Sequence, residues 1–263
     1  MNLYLNGKLA LITAASKGIG FATADMLMEE GTKVVILSSN KNNIEAAAYK
    51  LKEKHNRDVF SIVCDLNSLE SIFLSYEKVK KEFGEIDILV NNCGGPVPGN
   101  FESLSDEDWD KAYIQVLRSA VKLAELVLPN MKIKKWGRII NITSLSVKQP
   151  VDNLMLSNTF RTGLIGFAKS LSNEVGKYNI TVNNVAPGYT LTSRLIELAE
   201  IRANEKGITT EDEIKTMGES VPLKRVGGAY EIASLITFLA SEHSGYITGS
   251  TIAVDGGAIK STF

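Results

Sequence analysis

The chain has 263 residues, 44% of them hydrophobic and 22% charged, enough for a sizeable core in one unit. Lys plus Arg total 29 against 30 for Asp plus Glu, and the net charge of −1 argues against a nucleic-acid surface or a polybasic membrane anchor. Two cysteines, Cys64 and Cys93, and two histidines offer neither a disulfide framework nor a zinc-type cluster, as suits a reducing cytosol. The first eight residues lack the basic start and apolar stretch of a signal peptide, and no apolar run reaches membrane-spanning length. A cytoplasmic protein without metal is expected.

No repeat, low-complexity run or linker divides the chain, so one domain over residues 1–263 is expected. Lys8–Thr13 reads as a strand, followed by a Gly-bearing turn and a helix over Ile19–Glu30 that stops at Gly31. Val34–Leu37 reads as a second strand and Lys41–His55 as a polar-faced helix. Further strands are expected at Val59–Cys64, Ile86–Val90, Arg138–Ile142, Ile180–Val185 and Ser250–Val254, with helices between most of them. Short apolar strands alternating with helices give an α/β fold: a Rossmann-type, doubly wound parallel sheet covered on both faces. Ligands then bind beyond the carboxyl ends of the strands.

The first turn, Thr13-Ala-Ala-Ser-Lys-Gly18-Ile-Gly20, stands where a dinucleotide-binding turn belongs. Glycines at 18 and 20 let backbone amides approach a pyrophosphate at the helix N-terminus, although turns also use glycine for its φ freedom alone. An acid after the second strand would favour NAD(H). The strand ends instead Leu37-Ser-Ser-Asn-Lys41, so Lys17 and Lys41 are placed to face a 2′-phosphate, unless both are simply solvated. NADP(H) is preferred over NAD(H).

At this point the sequence resembles the short-chain dehydrogenase/reductase family over essentially its whole length. The family's Thr-Gly-x-x-x-Gly-x-Gly turn reads here Thr13-Ala14-x-x-x-Gly18-x-Gly20, and its Asn-Asn-Ala-Gly reads Asn91-Asn92-Cys93-Gly94. Asp65 matches the acid near the adenine, Pro187-Gly188 and Thr192 match the turn beside the nicotinamide, and Tyr246–Gly249 with Asp255–Gly257 look like the closing region. The chain is similar to the 3-oxoacyl-carrier-protein-reductase-like members. The resemblance implies cofactor contacts from Thr13, Ser16, Lys17, Gly18, Ile19, Gly20, Ser39, Asp65, Leu66, Asn92, Gly94, Arg161, Pro187, Gly188 and Thr192.

The catalytic tetrad of the family departs from its pattern. Ser144 matches the family's serine, but Ser157 stands where its Tyr belongs, Arg161 where its Lys belongs, and Val116 where its Asn belongs. No Tyr occurs between Tyr113 and Tyr178. A Ser hydroxyl titrates far above a Tyr, and Arg does not give up its proton, so the Tyr-Lys acid pair is missing. Lys148, desolvated beside Arg161, is one substitute donor and Tyr189 another. Against these stand a solvated loop lysine and a tyrosine packed under a lid. The implied lid spans about 190–225, with Thr209 or Thr210 capping a helix that begins with acids. Gly163 and Gly166 suit either a helix-bundle interface of a homodimer or homotetramer or tight packing onto the sheet.

Three activities compete on this basis. The first is an NADP(H)-linked oxidoreductase acting on a small carbonyl or alcohol, with Ser144, Ser157, Arg161 and Lys148 as its catalytic set. The second is a nucleotide- or metabolite-binding protein without redox chemistry. The third is a halohydrin-dehalogenase-like enzyme, suggested by Arg161 alone. No Gly-x-Ser-x-Gly elbow supports an esterase.

Overall fold

In the computed structural model, which describes residues 2–262, seven parallel strands form one sheet in the order β3-β2-β1-β4-β5-β6-β9. They are β1 (Leu9–Ile12), β2 (Lys33–Ser38), β3 (Phe60–Val63), β4 (Ile88–Asn91), β5 (Gly137–Ile142), β6 (Ile180–Pro187) and β9 (Thr251–Val254). A two-residue pair, β7 (Thr190–Leu191) and β8 (Gly227–Gly228), lies apart. Each expected strand is present, displaced by at most two residues at its ends. Residues in β1, β4, β5 and β6 are buried throughout, as strands covered on both faces must be.

Helix α1 (Gly18–Glu29) and helix α9 (Ala229–Ala240) cover one face, where Leu27, Ile36, Val90, Ile140 and Ile236 share a core cluster. On the other face lie α3 (Leu69–Phe83), α5 (Ser119–Lys134) and α6 (Met155–Val175), packed through Ile72, Leu89, Leu123, Ile139 and Ala168. Helix α2 (Lys41–His55) matches its expected bounds, with Asn40 accepting from the Asn43 amide as N-cap. A short α4 (Asp106–Ala112) runs into α5 through a wide π turn at Tyr113–Arg118. After β6 come α7 (Ser193–Lys206) and α8 (Thr210–Glu219), the latter capped by Thr209.

A polar knot joins three of these helices. Asp25, on α1, has a side chain only 1% exposed. It accepts hydrogen bonds from Lys54 at 2.7 Å and from Tyr230 at 2.6 Å, and meets His55 Nε2 at 2.6 Å. Burial pushes the Asp25 carboxyl up, but its bonds to Lys54, Tyr230 and His55 together outweigh that and hold it below the usual carboxylate value. Because the folded value is depressed, its stabilisation is present above the unfolded carboxyl range and is lost as pH falls through the folded value. Asp25→Asn should therefore cost about 2 kcal/mol at pH 7 and flatten the acid limb of the stability profile. Urea melts of both proteins from pH 7 to 3 check this.

Candidate active site

A cavity of about 430 Å³ opens beyond the carboxyl ends of β1 to β6. Its floor takes Ser16 after β1, Ser39 after β2, Asp65 and Leu66 after β3, Asn92 and Gly94 after β4, Ser144 after β5 and Pro187-Gly188 at the end of β6. Lys17, Gly18, Ile19 and Thr192 line it as well. This is where a parallel sheet binds nucleotides.

The first turn is built for an anion. Gly18 opens α1 at φ +60°, Lys17 provides no side-chain cap, and no acid stands in the first helical turn. The N-terminal amides and the helix dipole therefore face the cavity uncompensated. Gly20 does not line the cavity; it permits the turn to close. A Cβ there would sit 2.6 Å from the Ala14 carbonyl oxygen and 2.9 Å from Ala15 Cα. Thr13 is likewise buried behind the lining, where its hydroxyl donates to Asn92 O at 2.6 Å and accepts from Asn92 N at 2.8 Å. The turn after β1 and the loop after β4 are thus fastened to each other.

At the end of β2 no carboxylate lines the cavity. Ser38 Oγ donates to Ser16 Oγ at 3.2 Å, and Ser39 and Lys17 are exposed. Lys41 does not join them. It opens α2 outside the lining, 3.9 Å from Glu45. Asp65, from β3, accepts from both nitrogens of Asn67 at 2.9 Å. A ladder of in-register amides lies below the other half of the cavity. Asn91 donates to Asn141 at 2.8 Å, Asn141 to Asn184 at 2.9 Å, and Asn184 to Thr251 at 3.1 Å, clamping β4, β5, β6 and β9 to one another.

Ser144, Ser157 and Arg161 all line the cavity wall. Ser144 Oγ accepts from the Ser146 amide at 3.1 Å, which leaves its own proton to point elsewhere. Ser157, one turn before Arg161 on α6, is 7% exposed. Arg161, also 7% exposed, donates from Nη1 to the Ile142 and Thr143 carbonyls, both at 3.0 Å. Its Nη2 lies 3.9 Å from Cys93 Sγ. The guanidinium is thus half committed to the end of β5. Val116 is buried in the π turn, and its neighbour Gln115 reaches the cavity instead.

Lys148 is not where the sequence suggested. The 3-10 turn Leu145–Val147 carries it outward, and it stands exposed outside the lining, without the desolvation an acid–base role requires. Tyr189 lines the cavity while packing against Leu195, Ala199 and Met217. Gly163 and Gly166 face outward on α6, with open space around Gly166, so close packing onto the sheet is not their use.

The α7–α8 segment forms the remaining wall with Leu195, Leu198, Arg202 and Met217. Thr192 caps α7 by accepting from the Leu195 amide at 3.4 Å. Arg194 donates to Pro96 O at 2.6 Å, fastening the segment to the loop after β4. Cys93, Gln115, Arg194 and Arg202 were not singled out from sequence. Cys93 alone carried a signal, as the residue departing from Ala in a recognisable motif.

Comparison with known proteins identifies the family and matches the fold. The family described as Enoyl-(Acyl carrier protein) reductase matches residues 13–258. The 3-oxoacyl-[acyl-carrier-protein] reductase FabG of Escherichia coli is 38% identical over 251 residues, 95% of this chain and 97% of that protein. The chain is a short-chain dehydrogenase/reductase. Another member, the NADPH-dependent reductase BacG of Bacillus subtilis, is 32% identical over 258 residues, 98% of this chain and all of that one. Among solved structures of such reductases, L-sorbose reductase from Gluconobacter frateurii, complexed with NADPH and L-sorbose, superposes with a TM-score of 0.94 at 33% identity, covering 99% of this chain and 100% of that one.

Proposed function

We propose that this short-chain dehydrogenase/reductase is an NADPH-linked reductase of a small carbonyl compound, working without the family's Tyr-Lys pair. The observation that carries this reading is that the uncapped glycine turn and the Ser144–Ser157–Arg161 wall open into one cavity. The relatives named for NADPH use add support. The α1 amides, with Gly18, Ile19 and Ser16, would hold the pyrophosphate. Lys17 and Ser39 would hold the 2′-phosphate, and Asp65 and Leu66 would border the adenine. Asn92, Gly94, Arg161, Pro187, Gly188 and Thr192 would surround the nicotinamide riboside, with Thr13 and Gly20 shaping the two loops from behind. Bound there, NADPH supplies a hydride.

Ser144 and Ser157 would orient the substrate carbonyl, each donating a hydroxyl proton to its oxygen. Neither serine nor Arg161 is acidic enough to release the proton that completes reduction. Cys93 carries a thiol 3.9 Å from Nη2 of the buried Arg161, a cation placed to stabilise the thiolate that proton donation would leave. We therefore place the proton at Cys93 Sγ, with solvent reprotonating it between turnovers. Lys148, exposed, is assigned to solvent.

NADPH consumption across a carbonyl panel tests the reading. Ser144→Ala should lower kcat at least about tenfold, as loss of a polarising donor does. Cys93→Ala should lower kcat with NADPH affinity retained, whereas Tyr189→Phe and Lys148→Met should not. If one of those two carries the loss instead, the proton belongs there. Undiminished turnover in Ser144→Ala removes its role.

The outward α6 glycines support a homodimer or homotetramer through α5 and α6, to be checked by sedimentation of the wild type against Gly166→Arg. No helix among the described residues is long and apolar enough to cross a membrane. A cytoplasmic location completes the proposal.

A further inference from the structure

Among the described residues five charged side chains line the cavity: Lys17, Asp65, Arg161, Arg194 and Arg202. Lys17 is exposed to solvent at the first turn, Asp65 accepts from Asn67, Arg161 holds the end of β5, and Arg194 is tied to Pro96 O at 2.6 Å and Glu197 at 3.1 Å. Arg202 has no such tie. It is half-buried on α7, yet makes no hydrogen bond or ion pair with any described residue, although burying a cation without a partner is costly.

Position separates Arg202 from the 2′-phosphate of a dinucleotide, and ten residues of α7 separate it from Thr192, which stands beside Gly18 in the first turn. The 2′-phosphate end lies at β2, and α7 leaves the sheet after β6, four strands away in the sheet order, or roughly 19 Å. Arg202 stands seven residues beyond Leu195, two turns and about 10 Å further along α7 on the same face. Its neighbours along that wall, Leu195, Leu198 and Met217, are apolar. Val151 and Leu154, from the loop before α6, extend the apolar lining.

We infer that Arg202 is a specificity residue: the substrate is an oxo acid, whose carboxylate pairs with this guanidinium while its apolar body lies along Leu195, Leu198 and Met217. A guanidinium matches a carboxylate in two parallel hydrogen bonds, and the low dielectric of a half-buried wall strengthens them. This inference rests on the reductase reading for its chemistry, but the anion site stands on geometry alone and is testable without turnover.

The experiment has two arms. In the first, NADPH-dependent reduction is measured for oxo acids with the carbonyl two to six carbons from the carboxylate, each beside its methyl ester. The acid should be preferred by kcat/KM at least about tenfold at one spacing, chiefly through KM. Arg202→Gln should abolish that preference, and Arg202→Lys should restore part of it. In the second arm, octanoate and methyl octanoate are titrated into the NADPH-saturated protein by calorimetry. Octanoate should bind tighter, and Arg202→Gln should erase the difference. Reduction of acids and esters alike, or a preference that survives Arg202→Gln, overturns the inference and leaves the reductase reading intact. So does a loss of NADPH affinity in Arg202→Gln with the acid-to-ester ratio unchanged, which would assign the cation to the cofactor. No reduction of any compound, with octanoate still bound through Arg202, overturns the reductase reading and leaves the anion site.

Discussion

Arg161→Met is expected to destabilise the protein by about 3 kcal/mol, measured by chemical denaturation without any ligand. The guanidinium supplies the donors for the Ile142 and Thr143 carbonyls, and both acceptors lose that partner when the charge is removed. A thioether fills much of the space but donates nothing. Arg161→Lys should recover part of the loss, because an ammonium has the charge but not the forked reach. NADPH affinity should fall in both variants, since the displaced end of β5 also carries Ser144. An arginine that acted only on ligand would leave the ligand-free stability unchanged, and that result would separate Arg161 from the scaffold role described above.

Gly20→Ala is the second large effect. Its methyl carbon would stand 2.6 Å from a backbone oxygen and 2.9 Å from a backbone carbon, neither of which can rotate away. The turn must open, taking Gly18 and the α1 amides with it. A stability loss of about 2–3 kcal/mol should accompany a drop in NADPH affinity of more than about a hundredfold. Ala14→Gly should move the other way. Ala14 adopts φ +46°, in the left-handed region where an L side chain is strained, and the family's glycine would relieve about 1 kcal/mol. Thermal melts of the two variants, run side by side with wild type, should therefore shift in opposite directions.

The alternation of strand and helix was legible because buried parallel strands leave short apolar runs such as Leu9–Ile12 and Val34–Leu37, set between turn and helix signals. The glycine turn at the cavity was legible for a related reason: a tight strand-to-helix turn constrains backbone, and backbone constraints show as glycines at fixed spacing, here Gly18 and Gly20. Side-chain placement was less readable. Lys148 stands four residues after Ser144, but a 3-10 turn between them decides which way it points, and sequence spacing does not reveal that turn. Gln115 and Val116 exchange inward and cavity-facing positions through a π turn that breaks the 3.6-residue period on which such readings depend. Asp25 drew no notice because its partners come from residues 29 to 205 positions away. Arg202, finally, is one of many charges in a segment rich in them. Only its place on the cavity wall, and its lack of a partner there, distinguishes it.

The most direct test of the central claim is calorimetric titration of the folded protein with NADPH, and with NADH as the comparison. One site per chain should appear, with NADPH binding at least about tenfold tighter than NADH, because Lys17 and Ser39 offer a 2′-phosphate what no carboxylate at the end of β2 opposes. Equal affinities would contradict the cofactor preference. A folded protein that binds neither would contradict the account as a whole, leaving the glycine turn as scaffold and the cavity to a ligand that carries no hydride.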